Sequence, residues 1–561
     1  MTKFWNFIKI FLILLIISLP SIFPLLKPGY FPIHDDIQAF RLLELDKCVK
    51  DGQIPCRWIP DMGYGYGYPQ FNYYGPFPYY VMEVFHLAGF GFLDSTKIGF
   101  ALSIIISALG MYLLGKSLWG KAGGIISSAF YIYGPYRAVN IYVRGAMGET
   151  WGMAFLPFIF WSVKEVIESK KYAKLWLALS LAALFTSHNI TAIIFIPFFV
   201  VWILYLIFTK KQNLPSFIKH FKNIFISGLW GFLISAFFTL PAFFEREYVH
   251  IETLLMGYFN YLAHFVGLKQ LLLSTKFDYG VSELGNNDGL LLSPGITHWV
   301  FPIIIVALLF WFKRKKLLRL LLLFVLMGWF SLFLIHPKST FIWQSLPILS
   351  FVQFPWRFLT IATFCFSVAS GAIVAILPKK INIKRVFIGL IVLLVISINL
   401  SYFKPSRVLN ITDADKFSGD NWQKQLTISI FDYLPIYAKH PPTQKAPETP
   451  TFLDGKGEII SGEKGSDWQR WSIDVVSQNS SVIFPIYDFP IWTAMVNNQK
   501  NIITHDNELG LITISLSKGM NDVNLSLRDT PLRKVSNFLT LISIILIPIY
   551  IIKSKRLWLK T

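Results

Sequence analysis

Apolar residues in this chain come in long uninterrupted runs, and polar residues collect in the gaps between them. Runs of roughly 17 to 25 residues match the length a helix needs to cross hydrocarbon, and the sequence holds about twelve such candidates. They lie near 5–25, 97–114, 122–136, 151–167, 175–187, 191–208, 223–243, 298–312, 317–335, 354–377, 386–402 and 535–552. Six gaps are basic: Lys116 and Lys121; Lys170, Lys171 and Lys174; Lys210, Lys211, Lys219 and Lys222; Lys313 to Lys316 with Arg319; Lys379, Lys380, Lys384 and Arg385; Lys553, Lys555, Arg556 and Lys560. They alternate with the other gaps. The positive-inside rule therefore predicts a multi-pass protein of the cell membrane with both termini and the basic loops in the cytoplasm. Pro20 and bulky residues follow the first apolar run, with no small-residue cleavage site, so that run is expected to stay as an anchor.

The longer gaps have periodicities of their own. From 36 to 49, Ile37, Phe40, Leu42, Leu43, Leu45 and Val49 keep helical spacing beside Arg41, Glu44, Asp46 and Lys47, which predicts an amphipathic helix lying on the membrane. The 245–297 loop holds a mixed stretch at 258–273, Asp278-Tyr279-Gly280 and Gly285-Asn286-Asn287-Asp288-Gly289; it reads as a lid, a re-entrant segment or inert packing. Near the C-terminus, runs such as Trp471 to Val476, Ser481 to Phe484, Leu511 to Leu516 and Val523 to Leu527 alternate with period two between Gly, Asn and Asp turns, which predicts a β-sandwich. The predicted domains are a helical membrane part at 1–403 with its first loop at 28–95, an exported β-rich domain at 404–531, and a final span with a basic tail at 532–561.

Composition agrees. Of 561 residues, 54% are hydrophobic, 17% aromatic and 15% charged, outside the range of ordinary soluble domains. The net charge of +20 would point to nucleic acid in a soluble chain. Here many of the cations sit in loops between spans, so the expected surroundings are a lipid bilayer and no nucleic acid. Walker-type phosphate loops, zinc motifs and nucleophile elbows are absent from the sequence.

Candidate chemistry starts at Asp35 and Asp36, just after the first apolar run. Charge near hydrocarbon is costly unless it is paired or working. At the start of a helix the pair would stay ionised, or would simply cap it. Cys48 and Cys56 flank a short loop on the oxidising side, and the third cysteine, Cys365, lies within a span; a disulfide and two free thiols both fit. Trp58, Tyr64, Tyr66, Tyr68, Tyr73 and Tyr74 punctuate a glycine-rich stretch, either to stack on sugar faces or to form an interfacial aromatic belt.

These residues resemble a family. The outer Asp with a basic residue six positions on (Asp35, Arg41), the turn Pro55-Cys56-Arg57-Trp58, the Gly-Tyr-Gly-Tyr-Pro stretch and Pro76-Phe77-Pro78-Tyr79-Tyr80 resemble bacterial membrane proteins labelled 6-pyruvoyl-tetrahydropterin-synthase-related. Their architecture is similar to that of the GT-C glycosyltransferases. Tyr142 to Glu149, Ser187-His188-Asn189 and Gln353-Phe354-Pro355-Trp356-Arg357 resemble further motifs of these families, while Gln38 stands where His is common. The resemblance implies an inverting hexosyltransferase that moves a sugar from a polyprenyl-phosphate donor to a glycan, lipid or protein acceptor of the envelope, at the extracytoplasmic face.

In that scheme Asp35 or Asp36 is the catalytic base and Glu149 its helper, with Asp35 and Glu149 as ligands of a divalent cation (Mg or Mn). Arg41, Arg144, Arg357 and His188 hold the donor phosphate. Plainer readings stand beside these: a Glu149–Arg144 pair, an Arg357 that snorkels to headgroups, and a hydrogen-bonded helix-end His188. Two rival functions also remain, a transporter or flippase of lipid-linked saccharides and a noncatalytic envelope assembly factor.

Overall fold

The computed structural model of the chain describes residues 2–209, 214–283, 289–378 and 380–558. Lys210, Lys211, Lys379, Lys560 and the Gly285 to Asp288 part of the expected turn lie outside the described residues.

Every predicted apolar run is helical. The runs at 97–114 and 122–136 fall largely in one element, Phe92–Ile132, which turns at Gly120 with φ 82°, a backbone conformation open to glycine. Seven helices among the described residues are long and apolar enough to cross a bilayer, and the Leu214–Ile234 and Ala236–Phe244 pair, bent by 78°, makes an eighth if counted as one span. Helix length and apolarity alone thus support seven or eight spans among the described residues and leave the expected count of about twelve unconfirmed. Ala173–Ser187 and Ile296–Trp311 are apolar but short, and two other runs share one helix. The chain is a multi-pass helical membrane protein.

The predicted amphipathic helix is present as Gln38–Lys50, but it does not lie on lipid. Its apolar side (Phe40, Leu42, Leu45) and its polar side (Gln38, Arg41, Glu44, Asp46) are both buried. The polar side is tolerated because it is paired: Lys47 bonds Glu44 and Lys50 bonds Asp46, each at 2.7 Å. Neither acidic residue caps it, since Ile37 holds the N-cap position without a side-chain bond. At its other end Cys48 and Cys56 form a disulfide.

The C-terminal region is one six-stranded antiparallel sheet and not a sandwich. Its strands are β1 (Thr451–Phe452), β2 (Gly457–Lys464), β3 (Trp468–Tyr487), β4 (Trp492–Val496), β5 (Gln499–Asn501) and β6 (Leu511–Leu527), in the order β1-β3-β6-β4-β5 with β2 also on β3. Strand β3 is long enough to pair with β2 along its first half and β1 along its second. The alternation that suggested a second sheet is real: Ile473, Val475, Val482, Phe484, Ile512, Ile514, Val523 and Leu525 are buried. Their cluster is completed by Trp58, Tyr66 and Tyr73 of the first loop and by Leu434, Ala438 and Ala446. The first loop thus takes the place of a second sheet.

Candidate functional site

The acidic pair is held by a seam between two distant segments. The N–H groups of His34 and Asp35 donate to the carbonyls of Val143 and Arg144, both at 2.9 Å, and the Gln38 amide donates to the Gly145 carbonyl at 2.9 Å. Tyr79 O–H in turn donates to Gln38 Oε1 at 2.5 Å, so Gln38 staples the seam. Gly145 has φ 67°, and a Cβ there would sit 2.4 Å from Ile33 Cδ1; only glycine lets the segments meet this closely.

The two carboxylates then part company. Asp36 Oδ2 accepts from Lys416 Nζ at 2.6 Å; burial pushes its pKa up from the ordinary carboxylate value, and Lys416 offsets part of that. Asp35 is exposed, and among the described residues its carboxylate has no hydrogen bond or ion pair. Asp35 also lies within charge–charge reach of Arg144 and Arg357.

Near Asp35 sits a buried cluster around Glu149. Its Oε1 accepts from Tyr136 O–H at 2.6 Å and from Thr360 Oγ1 at 2.9 Å, and its Oε2 accepts from Arg144 Nη1 at 2.7 Å. Arg357 Nε is 3.9 Å from the same oxygen. Burial favours the neutral acid most strongly, yet Arg144, Arg357, His188 and Tyr136 together hold Glu149 down at about 2. Arg144 is further bonded to Asn140 Oδ1 at 2.5 Å and stacked over Trp356 at 4.5 Å; its pKa is raised, burial being outweighed by Glu149 and Tyr136.

Arg357 donates through Nη1 to the Val352 carbonyl at 2.7 Å and to Gln353 Oε1 at 2.9 Å, and lies over Phe354 at 4.8 Å. The Nη2 atoms of Arg144 and Arg357 make no hydrogen bond among the described residues, and neither is sealed from solvent. His188 takes up the plain alternative in part. Its Nδ1 accepts from the Thr191 N–H at 3.2 Å, which leaves the proton on Nε2, and burial drives its pKa down to about 3. It is a neutral helix-end residue next to Glu149.

Other expected site residues lie elsewhere or act differently. Trp58 packs on Phe489 and Trp492, Tyr66 on Tyr487, and Tyr73 on Tyr433. Trp58, Tyr66, Tyr68 and Tyr73 are buried: Trp58 and Tyr66 join the first loop to the sheet region and Tyr68 and Tyr73 join it to the segment around Tyr433, instead of presenting faces to a sugar. Tyr74 is only partly buried and carries the Arg41 guanidinium over its ring at 4.0 Å. Tyr64 is held through its backbone N–H, which donates to the Leu426 carbonyl at 2.9 Å. Arg41 is buried and reaches toward Asp432, Tyr74 and Tyr79.

A divalent ion does not fit Asp35 and Glu149. The Glu149 oxygens are occupied by two hydroxyls and a guanidinium, and among the described residues no group of three or more His, Cys, Asp or Glu is arranged to hold a metal.

Sequence reasoning missed Tyr136, Thr360, Lys416 and Asp432. Tyr136 and Thr360 lie near span ends flanking residues already singled out, a usable signal. Lys416 and Asp432 stand in a segment with no periodic pattern, and nothing local marks them. A separate cavity of about 510 Å³ opens between the first loop and the sheet, lined by Lys47, Asp61, Trp422, Lys464 and others; Asp35 is not part of it.

Fold and site together define a multi-pass helical membrane protein with an exposed carboxylate beside two guanidinium groups at one end of its helices. No family model matches the chain. An uncharacterized protein of Lactococcus lactis subsp. cremoris (strain MG1363) is 26% identical over 265 residues, which is 46% of this chain and 42% of that protein; the match thus spans less than half of either. Among solved structures the chain is similar to the mycobacterial arabinofuranosyltransferase AftD, at 12% identity and TM-score 0.43 over 72% of this chain and 27% of that one. It is also similar to the Archaeoglobus fulgidus oligosaccharyltransferase in its apo form, at 12% identity and TM-score 0.39 over 74% and 59%. These likenesses are remote.

Proposed function

We propose that this protein is an integral-membrane, inverting glycosyltransferase of the GT-C type. It takes a sugar, a hexose in the simplest case, from a polyprenyl-phosphate donor and passes it to an acceptor at the extracytoplasmic face. The observation that carries this reading is the exposed Asp35 carboxylate within charge–charge reach of Arg144 and Arg357; among the described residues neither this carboxylate nor the two Nη2 donors make a hydrogen bond.

The chemistry needs only these parts. Asp35 takes the proton of the acceptor hydroxyl. The oxygen attacks the anomeric carbon, the bond from that carbon to the phosphate oxygen breaks, and its electron pair leaves with the phosphate. Arg144 and Arg357 receive the charge developing there by charge-assisted hydrogen bonds. Glu149 acts one step back: it holds both guanidiniums in place and neutralises one positive charge behind them. Attack opposite the leaving group inverts the anomeric centre. No step is assigned to a metal.

The test is release of polyprenyl phosphate by the purified protein in lipid nanodiscs, with a panel of polyprenyl-phosphate sugars and glycan acceptors. Asp35→Asn should lower turnover by about 10²- to 10⁴-fold, the usual worth of a positioned base, while Asp36→Asn keeps most of it because Asp36 is already engaged by Lys416. Equal turnover in wild type and Asp35→Asn would sink the assignment. Absence of turnover with every donor, alongside movement of lipid-linked saccharide between leaflets, would replace the transferase with a transporter.

A further inference from the structure

One carboxylate in the C-terminal region is placed with more care than its surroundings require. The turn at 429–433 is built around the buried hydroxyl of Tyr68, which donates to the Ile430 carbonyl at 3.1 Å and accepts from the Tyr433 N–H at 2.8 Å. Ser429 adopts φ 58°, a conformation that costs a serine, and its carbonyl accepts from the Asp432 N–H at 3.1 Å. Tyr433 stacks on Tyr73 with ring centroids 5.4 Å apart, and Thr253 Oγ1 donates to the Phe431 carbonyl at 2.9 Å.

Five separate contacts thus lock a turn that holds Asp432 within charge–charge reach of Arg41 and Asp35. Arg41 is held in its turn over Tyr74, and its Nε is buried without a hydrogen-bond partner. Lys416, on the same C-terminal segment, clasps Asp36. The segment therefore closes over the start of the Gln38–Lys50 helix, with Tyr433 within charge–charge reach of Arg357.

We propose that Arg41 and Asp432 form the acceptor subsite, and that it takes a sugar residue through a pair of adjacent hydroxyls. A carboxylate accepts and a guanidinium donates, and a vicinal diol offers both functions at neighbouring oxygens. Tyr74, whose partly exposed ring carries Arg41 over one face, borders the subsite. A peptide hydroxyl offers one such oxygen and the diol of a lipid glycerol rotates freely, whereas a sugar ring holds two adjacent hydroxyls in fixed relation, so the acceptor class is a glycan. The word acceptor rests on the transferase reading above; the recognition of a diol does not.

Burial drives Asp432 up to about 6, with Arg41 and Ser429 opposing and Asp35 adding to the rise. The titratable and charged groups that face it are Arg41, Asp35, Tyr68 and Tyr433. Binding that needs the ionised carboxylate is therefore strong above about pH 6 and fades as pH falls through that value.

The experiment is ligand-observed NMR on the full-length protein in nanodiscs, using the methyl glycosides of glucose, mannose, galactose and rhamnose and a 2,3-dideoxy glucoside. At least one intact glycoside should bind, the dideoxy compound should not, and Asp432→Asn should weaken binding by about tenfold or more, the worth of one charge-assisted hydrogen bond. The Asn variant should also lose the pH dependence, and Asp432→Glu should keep it.

No binding of any glycoside by wild type, undiminished binding by a folded Asp432→Asn protein, or equal binding of the dideoxy compound would each overturn the inference. Should Asp432→Asn fail to fold, the dideoxy comparison and the wild-type pH profile still decide. Polyprenyl-phosphate release is measured on the same samples: sugar binding without turnover overturns the transferase and leaves the diol subsite, whereas turnover without sugar binding does the reverse.

Discussion

Glu149 shows how a single residue can carry a site without touching substrate. It is buried, and removing its charge leaves Arg144 and Arg357 close together with nothing between them. Glu149→Gln should therefore destabilise the fold by about 3 to 5 kcal/mol, the cost of breaking a buried pair. The pH dependence follows from the sign of its shift. A carboxylate lowered from 4.5 to about 2 by its guanidinium neighbours contributes stability above pH 4.5, and that contribution is lost as pH falls toward 2. Thermal unfolding in detergent should show a steeper fall between pH 5 and 2 for wild type than for the Gln variant. Parallel curves would mean that Glu149 does not hold the pair. Of this site, the sequence revealed the acidic pair and the neighbouring Arg144 and Glu149. It could not say which aspartate was free, because the lysine that occupies Asp36 lies 380 residues away.

At the scale of elements, apolar periodicity identified every long helix, since a helix in hydrocarbon must satisfy its own backbone and so announces itself by length. The same patterning misread the Gln38–Lys50 helix and the sheet, and for one reason: alternation shows that a face is buried and not what buries it. The aromatic stretch from Trp58 to Tyr74 was the missing partner of the sheet, and the helices Phe77–Leu87 and Phe92–Ile132 were the missing partners of Gln38–Lys50. Trp58 makes the point in a testable way. Its indole lies 5.6 Å from the Phe489 ring and 5.7 Å from the Trp492 ring, and its truncation leaves a void against the sheet worth about 3 to 5 kcal/mol. Trp58→Ala should expose the β3–β4 connection to limited proteolysis at protease levels that spare the wild type, with the membrane helices intact by circular dichroism. Unchanged cleavage would show that the sheet is held by other contacts.

For the whole molecule the decisive matter is which side of the membrane the assembled site faces, because a polyprenyl-phosphate donor on the outer leaflet can reach it only from outside. Segments near residues 35, 144, 357 and 432 converge at one end of the helices, and no local pattern could foretell contacts across such separations. The helix Lys315–Ile335 measures the distance to the other end. Its last residue, Ile335, accepts from the Val266 N–H at 3.0 Å on the side of the site, so its first, Lys315, stands about 30 Å away. The basic loops predict that Lys315 is cytoplasmic. In a Cys365→Ala background, where Cys48 and Cys56 are tied to each other, single cysteines replacing Lys315 and Asp506 read the orientation directly, since both positions are exposed. A membrane-impermeant maleimide should label Asp506→Cys in intact cells and Lys315→Cys only after lysis. The opposite pattern would put Asp35 in the cytoplasm, where soluble nucleotide sugars and not an outer-leaflet lipid would be the available donors, and the proposed reaction would have to be abandoned.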